Sequence, residues 1–519
     1  MLPLASCLIP GAMPVVAPSR PKAPAKSRWR WLRRIVTALV VGLILLVGIV
    51  VLSLELLLNR VPSAYHPMEN PIPSPDPHRF AALELDGFES PYLGHTGSFN
   101  GKGGAIFGGS KAADLDSEVD MGLHWTFLPV EWSAIEKKGP ADLSQPRCPQ
   151  AAQLDDFVIA ARHRKLNILL QIVIGGNAGG PPRWAGRRED GKSAPQNMTA
   201  AVEFGRKLAL RYSPHGILAH REMWNDAFGV RAWELDNEPE SYRTCWKNQA
   251  GDYAEFATRT AKTVHLVDSK AITIVAATAG GTHATPWLAA ALDSSQLQGS
   301  PSYRAAGVHY SIREPADVVS FHCYEGLEAL FSGPNRSITD DLSDVRGVFA
   351  KYEPGRTREE FWHTEGDFDF LGILSAKRRA AWRFQFMTRA FAAGLRKVCV
   401  MDAKGKEKAA VKAYIAALPD PFPMASADAQ IKTLVGQTTA FLHVDDSSPK
   451  AGRVWVIWPV ADKGDARIQV PTIRDRVKVV AVDGSQRQID CIATEHTITL
   501  DLPGDTKMAP AVLVIDRPN

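Results

Sequence analysis

Cysteine is scarce, six in 519 residues and never as C-x-x-C, which excludes a disulfide-stapled scaffold. No H-E-x-x-H and no G-x-S-x-G occurs, so zinc-peptidase and serine-hydrolase signatures are both missing. Basic charge is equally short where it would matter. The formal net charge is +4, but residues 1–34 hold seven Lys and Arg and no acid, so residues 61–519 are net acidic by three. A surface that tracks phosphates needs the opposite sign, and nucleic-acid binding is set aside. With 45% hydrophobic and 22% charged residues, the chain is neither wholly disordered nor a polytopic membrane protein. No internal repeat stands out.

One long apolar run is present. Ile35 to Leu54 is twenty residues without a charge, about 30 Å as a helix and the thickness of a hydrocarbon core. The basic cluster precedes it directly, so the positive-inside rule keeps residues 1–34 cytoplasmic and places residues 61–519 across the membrane. The run exceeds a usual signal-peptide core and lacks a small-x-small cleavage site, which favours an uncleaved signal anchor over 35–58. Residues 61–80 carry six prolines and suit an extended linker, placed at 59–85. Cys148 and Cys245 lie in polar stretches beyond the membrane, where an oxidising compartment would let them pair.

Strand-like and helix-like stretches then alternate. Continuous apolar runs such as LNILLQIVI (166–174) have the character of parallel strands buried on both faces. Similar candidates end in HWTFLPVEW (124–132), VRAWELDNEPE (230–240), AITIVAATAGG (271–281), ADVVSFHCYE (316–325), EEFWHTEGDF (359–368) and LRKVCVMD (395–402), with an eighth at SPYLGHTGS (90–98). Eight such units over 86–420 predict a (β/α)₈ barrel. A doubly wound sheet would often show a phosphate turn opening a helix, and GGAIFGG does not do so. From 421 to 519 short alternating segments at close spacing predict an antiparallel β-sandwich, with Trp455 and Trp458 in its core.

Catalytic groups of such a barrel sit where strands end. Two carboxylates stand there in apolar or aromatic surroundings, Glu238 after the fourth strand and Glu365 after the seventh. A carboxylate in that setting needs a task or a partner. Two of them about 5–5.5 Å apart would form the pair of a retaining glycosidase. The W-E-L-D-N-E-P-E string, the H-C-Y of FHCYE and the T-E-G of WHTEG, in this order, resemble the clan A glycoside hydrolases, families 39 and 5 most of all. The resemblance spans roughly 90–420, and family 39 members also carry an accessory sandwich. It implies Glu238 as general acid/base and Glu365 as nucleophile. It further implies Asn237 as partner of a sugar 2-hydroxyl, Tyr324 as the group that orients Glu365, and His322 as a lining residue. No cofactor and no metal are implied; the partners are a carbohydrate and, through the N-terminal helix, the membrane.

The chain departs from the clan pattern twice. Asp236 stands where Trp often precedes Asn-Glu, and Asp402 where many members place a sugar-stacking Trp. Trp125, Trp132, Trp184 and Trp246 are the candidates to replace that platform, with Glu131 and His124 as further polar candidates. Two other readings share these residues. One is a non-catalytic carbohydrate-binding or exopolysaccharide-assembly protein, and the other is a transglycosylase.

Overall fold

The computed structural model describes residues 26–58, 87–95, 112–175, 180–186, 194–241, 244, 246, 249–293, 310–313, 316–325, 337–352, 360–366, 375–401, 403–445, 452–460, 463–492, 494–505 and 510–517. The proline-rich stretch, Cys245 and Asp402 lie outside these residues. The chain divides into two compact units, residues 1–55 and 56–519. The first contains most of one helix, Lys26–Leu58. Within Trp29–Ser53 an 18-residue window reaches a mean hydropathy of 3.2 with none of it buried, long and apolar enough to cross a membrane.

The second unit begins with eight parallel strands: β1 Tyr92–His95, β2 Trp125–Glu131, β3 Asn167–Val173, β4 Ala232–Leu235, β5 Ile272–Thr278, β6 Val318–His322, β7 Glu360–Glu365 and β8 Lys397–Met401. They are ordered β1-β8-β7-β6-β5-β4-β3-β2, and β1 lies against β2 to bring the ring together. The expected barrel is therefore the observed one. Both faces of β3 and β5 are buried at every position, the outer face by helices and the inner by opposite strands.

Alternate residues of each strand fill the interior, and their character changes with height. The lower layers are apolar, with Trp125, Phe127, Leu169, Ile272, Val318 and Trp362 among them. At the floor the Lys397 ammonium donates to Phe88 O at 2.7 Å and Ser90 O at 2.6 Å and sits over the Trp125 and Trp362 rings. Further up, the inward positions become polar: Gln171, Glu234, Ser320 and His322 are all buried. Polar side chains inside a barrel need internal partners, and these four find them in one another and in the catalytic candidates.

Among the described residues nine strands follow, β9 Met424–Ser426, β10 Lys432–Val435, β11 Thr438–Asp445, β12 Gly452–Pro459, β13 Ala466–Pro471, β14 Arg476–Ala481, β15 Gln486–Asp490, β16 Thr497–Leu502 and β17 Val512–Asp516, in a six-stranded antiparallel sheet (β15-β14-β17-β12-β11-β9) and a three-stranded one (β10-β13-β16). Two of them carry no alternation that a sequence could show: β9 is only three residues long, and β10 is exposed at every position. Trp455 and Ile457 of β12, Gly452–Pro459, face the inter-sheet core. Val454, Val456 and Trp458 face the other way and join the core that continues from the barrel. Burial on two faces explains why GRVWVIWPV is apolar throughout rather than alternating.

Candidate active site

Glu238 owes its place to a backbone that leaves β4 in a forced shape. Asp236 has φ +74° and Glu238 φ +43°, left-handed values that L-residues adopt only when held. Asp236 supplies the hold. Its Oδ2 accepts from Ile174 N at 3.1 Å, Gly175 N at 2.9 Å and Trp246 Nε1 at 2.6 Å, and its Oδ1 from Asn237 N at 2.8 Å. Burial pushes this carboxyl up to about 6, opposed by the four N–H donors, so it is ionised at neutral pH. Glu238 N then donates to Ala277 O at 3.0 Å, where β5 ends in its own left-handed pair, Ala276 and Ala277.

Asp236→Asn keeps the shape but turns one acceptor into a donor facing N–H groups. The expected cost is about 3 kcal/mol of unfolding free energy, read from urea denaturation, with a loss of activity as Glu238 loosens.

Beneath Glu238, Gln171 uses both amide protons. One goes to Glu234 Oε2 at 2.7 Å and one to Asn237 Oδ1 at 3.1 Å. Ser320 Oγ donates to Glu234 Oε1 at 2.6 Å. His322 ends β6, fully buried, with Nδ1 3.1 Å from Glu238 Oε1 and 3.9 Å from Glu365 Oε2. Burial disfavours its charge, but the Glu365, Glu238 and Glu234 carboxylates outweigh that and raise the imidazole to about 9. At neutral pH it is an imidazolium that donates to Glu238 and balances negative charge. Glu238, His322 and Glu365 also have the atom types of a metal site, within 4.8 Å of one another; as an imidazolium, His322 presents a proton there rather than a lone pair.

Glu365 closes β7 with its side chain 5% exposed, against 16% for Glu238. Burial raises its pKa, and the Glu238 charge adds to this; His322 and the Tyr324 phenol, which donates to Glu365 Oε1, work in the opposite direction. Tyr324 is steadied by its neighbour. The Glu325 carboxylate accepts from Arg389 at 2.7 and 2.9 Å, Trp382 Nε1 at 2.6 Å and Ile338 N at 3.1 Å, which pins the end of the β6 loop to two helices. Met401, at the end of β8, brings Sδ to 3.9 Å from the Tyr324 hydroxyl.

Comparison with known proteins gives a fold likeness and no sequence relative. No protein-family model matches the chain, and no curated protein does. Among solved structures, a glucosidase from Croceicoccus marinus matches with TM-score 0.52 at 13% identity, over 83% of this chain and 96% of that one. A family 39 glycoside hydrolase from Bacteroides cellulosilyticus matches with TM-score 0.51 at 14% identity, over 83% and 82%. A family 51 α-L-arabinofuranosidase from Bifidobacterium longum matches with TM-score 0.52 at 12% identity, over 86% and 97%. This chain shares their fold.

The tryptophans expected at the sugar platform are mostly elsewhere. Trp125 is fully buried at the N-terminal end of β2, the end opposite to Glu238, where its Nε1 donates to Phe88 O at 3.0 Å. Trp132 is fully buried beyond β2, donating to Glu136 at 2.8 Å and stacked on Phe204. Trp246 is the buried clamp on Asp236. Burial takes all three rings away from any sugar face. Trp184 alone of the four keeps exposed surface, lining a shallow cavity of about 390 Å³ with Gln196 and Asn197. Glu131 ends β2 half-buried, with burial raising its carboxyl; His124 is exposed. Cys148 is buried, and its thiol donates to Gln150.

Proposed function

We propose that this chain is a membrane-anchored retaining glycoside hydrolase acting on β-linked oligo- or polysaccharides outside the cytoplasm. The observation that carries the reading is the approach of Glu238 and Glu365. Each brings one oxygen within 4.8 Å of the other's, close to the separation of about 5–5.5 Å of retaining pairs and short of the roughly 6.5–9.5 Å that leaves room for an inverting water. The shared fold with glycoside hydrolases supports it, as does the order of the motifs.

Glu365 is the nucleophile, because it alone accepts the phenol proton of Tyr324, a contact made to a carboxylate rather than to an acid. The reactive form holds one proton on Glu238 and none on Glu365; in the first step a Glu365 oxygen bonds to the anomeric carbon while the glycosidic C–O bond breaks and Glu238 passes that proton to the departing oxygen. In the second, Glu238 as carboxylate takes a proton from water, the water oxygen bonds to the same carbon, and the bond to Glu365 breaks. Asn237 serves the 2-hydroxyl, and Trp184 is an outer sugar contact. The helix Lys26–Leu58 holds the unit 56–519 to the extracytoplasmic face, with residues 1–34 inside.

Proton NMR of the first product formed by the full chain in detergent tests the mechanism. The initial anomer should have the configuration of the substrate. Initial formation of the opposite anomer would overturn the double displacement.

A further inference from the structure

The mechanism leaves one carboxyl beside the pair without a task. Glu240 stands two residues after Glu238, and its Oε1 accepts from Ala279 N. With the bond from Glu238 N to Ala277 O at 3.0 Å, this makes two rungs between 238–240 and 277–279. Both segments are left-handed, at Glu238 and at Ala277, and Pro239 between the rungs has no N–H to add a third. The other oxygen, Oε2, is buried and meets no hydrogen-bond partner.

We propose that Glu240 is a positioning residue for Glu238: its carboxyl, in the neutral acid form, fastens the segment bearing the acid/base to the end of β5 without placing a second charge beside it. The inference rests on Glu238 being the acid/base. A buried oxygen without any partner costs far more on a charged carboxylate than on a neutral acid, and the bond from Ala279 N is kept by either form. The ionisable groups facing Glu240 pull in opposite directions, and the larger effect favours the acid: Glu238, on its own segment, repels a second charge, while His322 on β6, drawn to the nearer carboxylates, favours that charge less strongly. Tyr253, on the helix Ala250–Val267, has its only proton committed to Leu235 O at 2.8 Å. Burial first, then the Glu238 charge, push the Glu240 carboxyl up to about 8.

The test compares Glu240→Ala and Glu240→Gln with wild type, as full chains in detergent, on aryl glycosides of a sugar that the wild type cleaves. A misplaced acid matters where the leaving group needs its proton and little where it does not. Glu240→Ala should lose about 100-fold in kcat/KM on a phenyl glycoside and stay within about threefold on the 2,4-dinitrophenyl glycoside. Glu240→Gln, which keeps one accepting and one donating end, should recover most of the phenyl rate. Equal losses on both substrates, or a Gln variant no better than Ala, overturn the proposal. Glu238→Ala run alongside separates the two readings. If it shows no such split, the role of Glu238 has failed; if it does and Glu240→Ala does not, only Glu240 has. Melting curves add a readout without turnover. The folded-state pKa is raised, so the stability it confers is present at low pH and is lost as pH rises towards about 8. Wild type should therefore melt progressively lower relative to Glu240→Gln between pH 5 and 8, and parallel curves would count against a neutral Glu240.

Discussion

Glu365→Gln should lower kcat by about 10⁴-fold or more on every glycoside the wild type cleaves, a loss of about 5 kcal/mol of transition-state stabilisation. The amide keeps the volume and the contact with Tyr324 but has no charge to form the covalent bond. The surroundings are spent on that charge. Glu365 is 5% exposed at the end of β7, where burial pushes its proton affinity up, and the His322 imidazolium and Tyr324 phenol are what bring it down. Tyr324→Phe removes one of these, so the Glu365 pKa rises further and the acidic limb of kcat/KM moves to higher pH. A Glu365→Gln enzyme with more than a few per cent of wild-type turnover would remove Glu365 from the reaction. An unmoved acidic limb in Tyr324→Phe would show that the phenol does not serve it.

The barrel was legible because its strands are buried on both faces, and the sequence shows that directly in runs such as NILLQIV and ITIVAAT. The candidate carboxylates were legible for a related reason, since a glutamate ending such a run has no cheap alternative to a partner or a task. The layer below them was harder to see. Gln171 is a polar residue on an inward position of an apolar strand, Ser320 is one step of the same parity below His322, and Glu234 one step below Asp236; once the inward parity is fixed, period two points to all three. Asp236 was read as a departure from a pattern, yet it joins the ends of β3 and β4 through four N–H groups that no local sequence signal announces. Three of the four tryptophans, Trp125, Trp132 and Trp246, belong to the core instead. A large ring near a strand end serves a sugar or a core equally well by composition, and only the partners of Trp125, Trp132 and Trp246 distinguish the two.

Glu238→Ala should behave differently from any Glu365 variant, and the difference identifies the acid/base. With a phenyl leaving group the loss is about 10²–10⁴-fold, the usual contribution of a positioned proton donor. With 2,4-dinitrophenyl the first step needs no proton, so the glycosyl-enzyme forms and its hydrolysis becomes slow for want of a base. Azide needs no base to attack. It should enter the space left by a side chain that is 16% exposed in the wild type, raise turnover of the activated substrate and give a glycosyl azide with the configuration of the substrate. The His322 imidazolium, left beside Glu365 and Glu234 once Glu238 is gone, provides positive charge in the emptied position and favours the anion there. Recovery with azide in Glu238→Ala, and none in Glu365→Gln, fixes which glutamate attacks and which transfers the proton. Recovery in neither variant would remove Glu238 from the acid/base role.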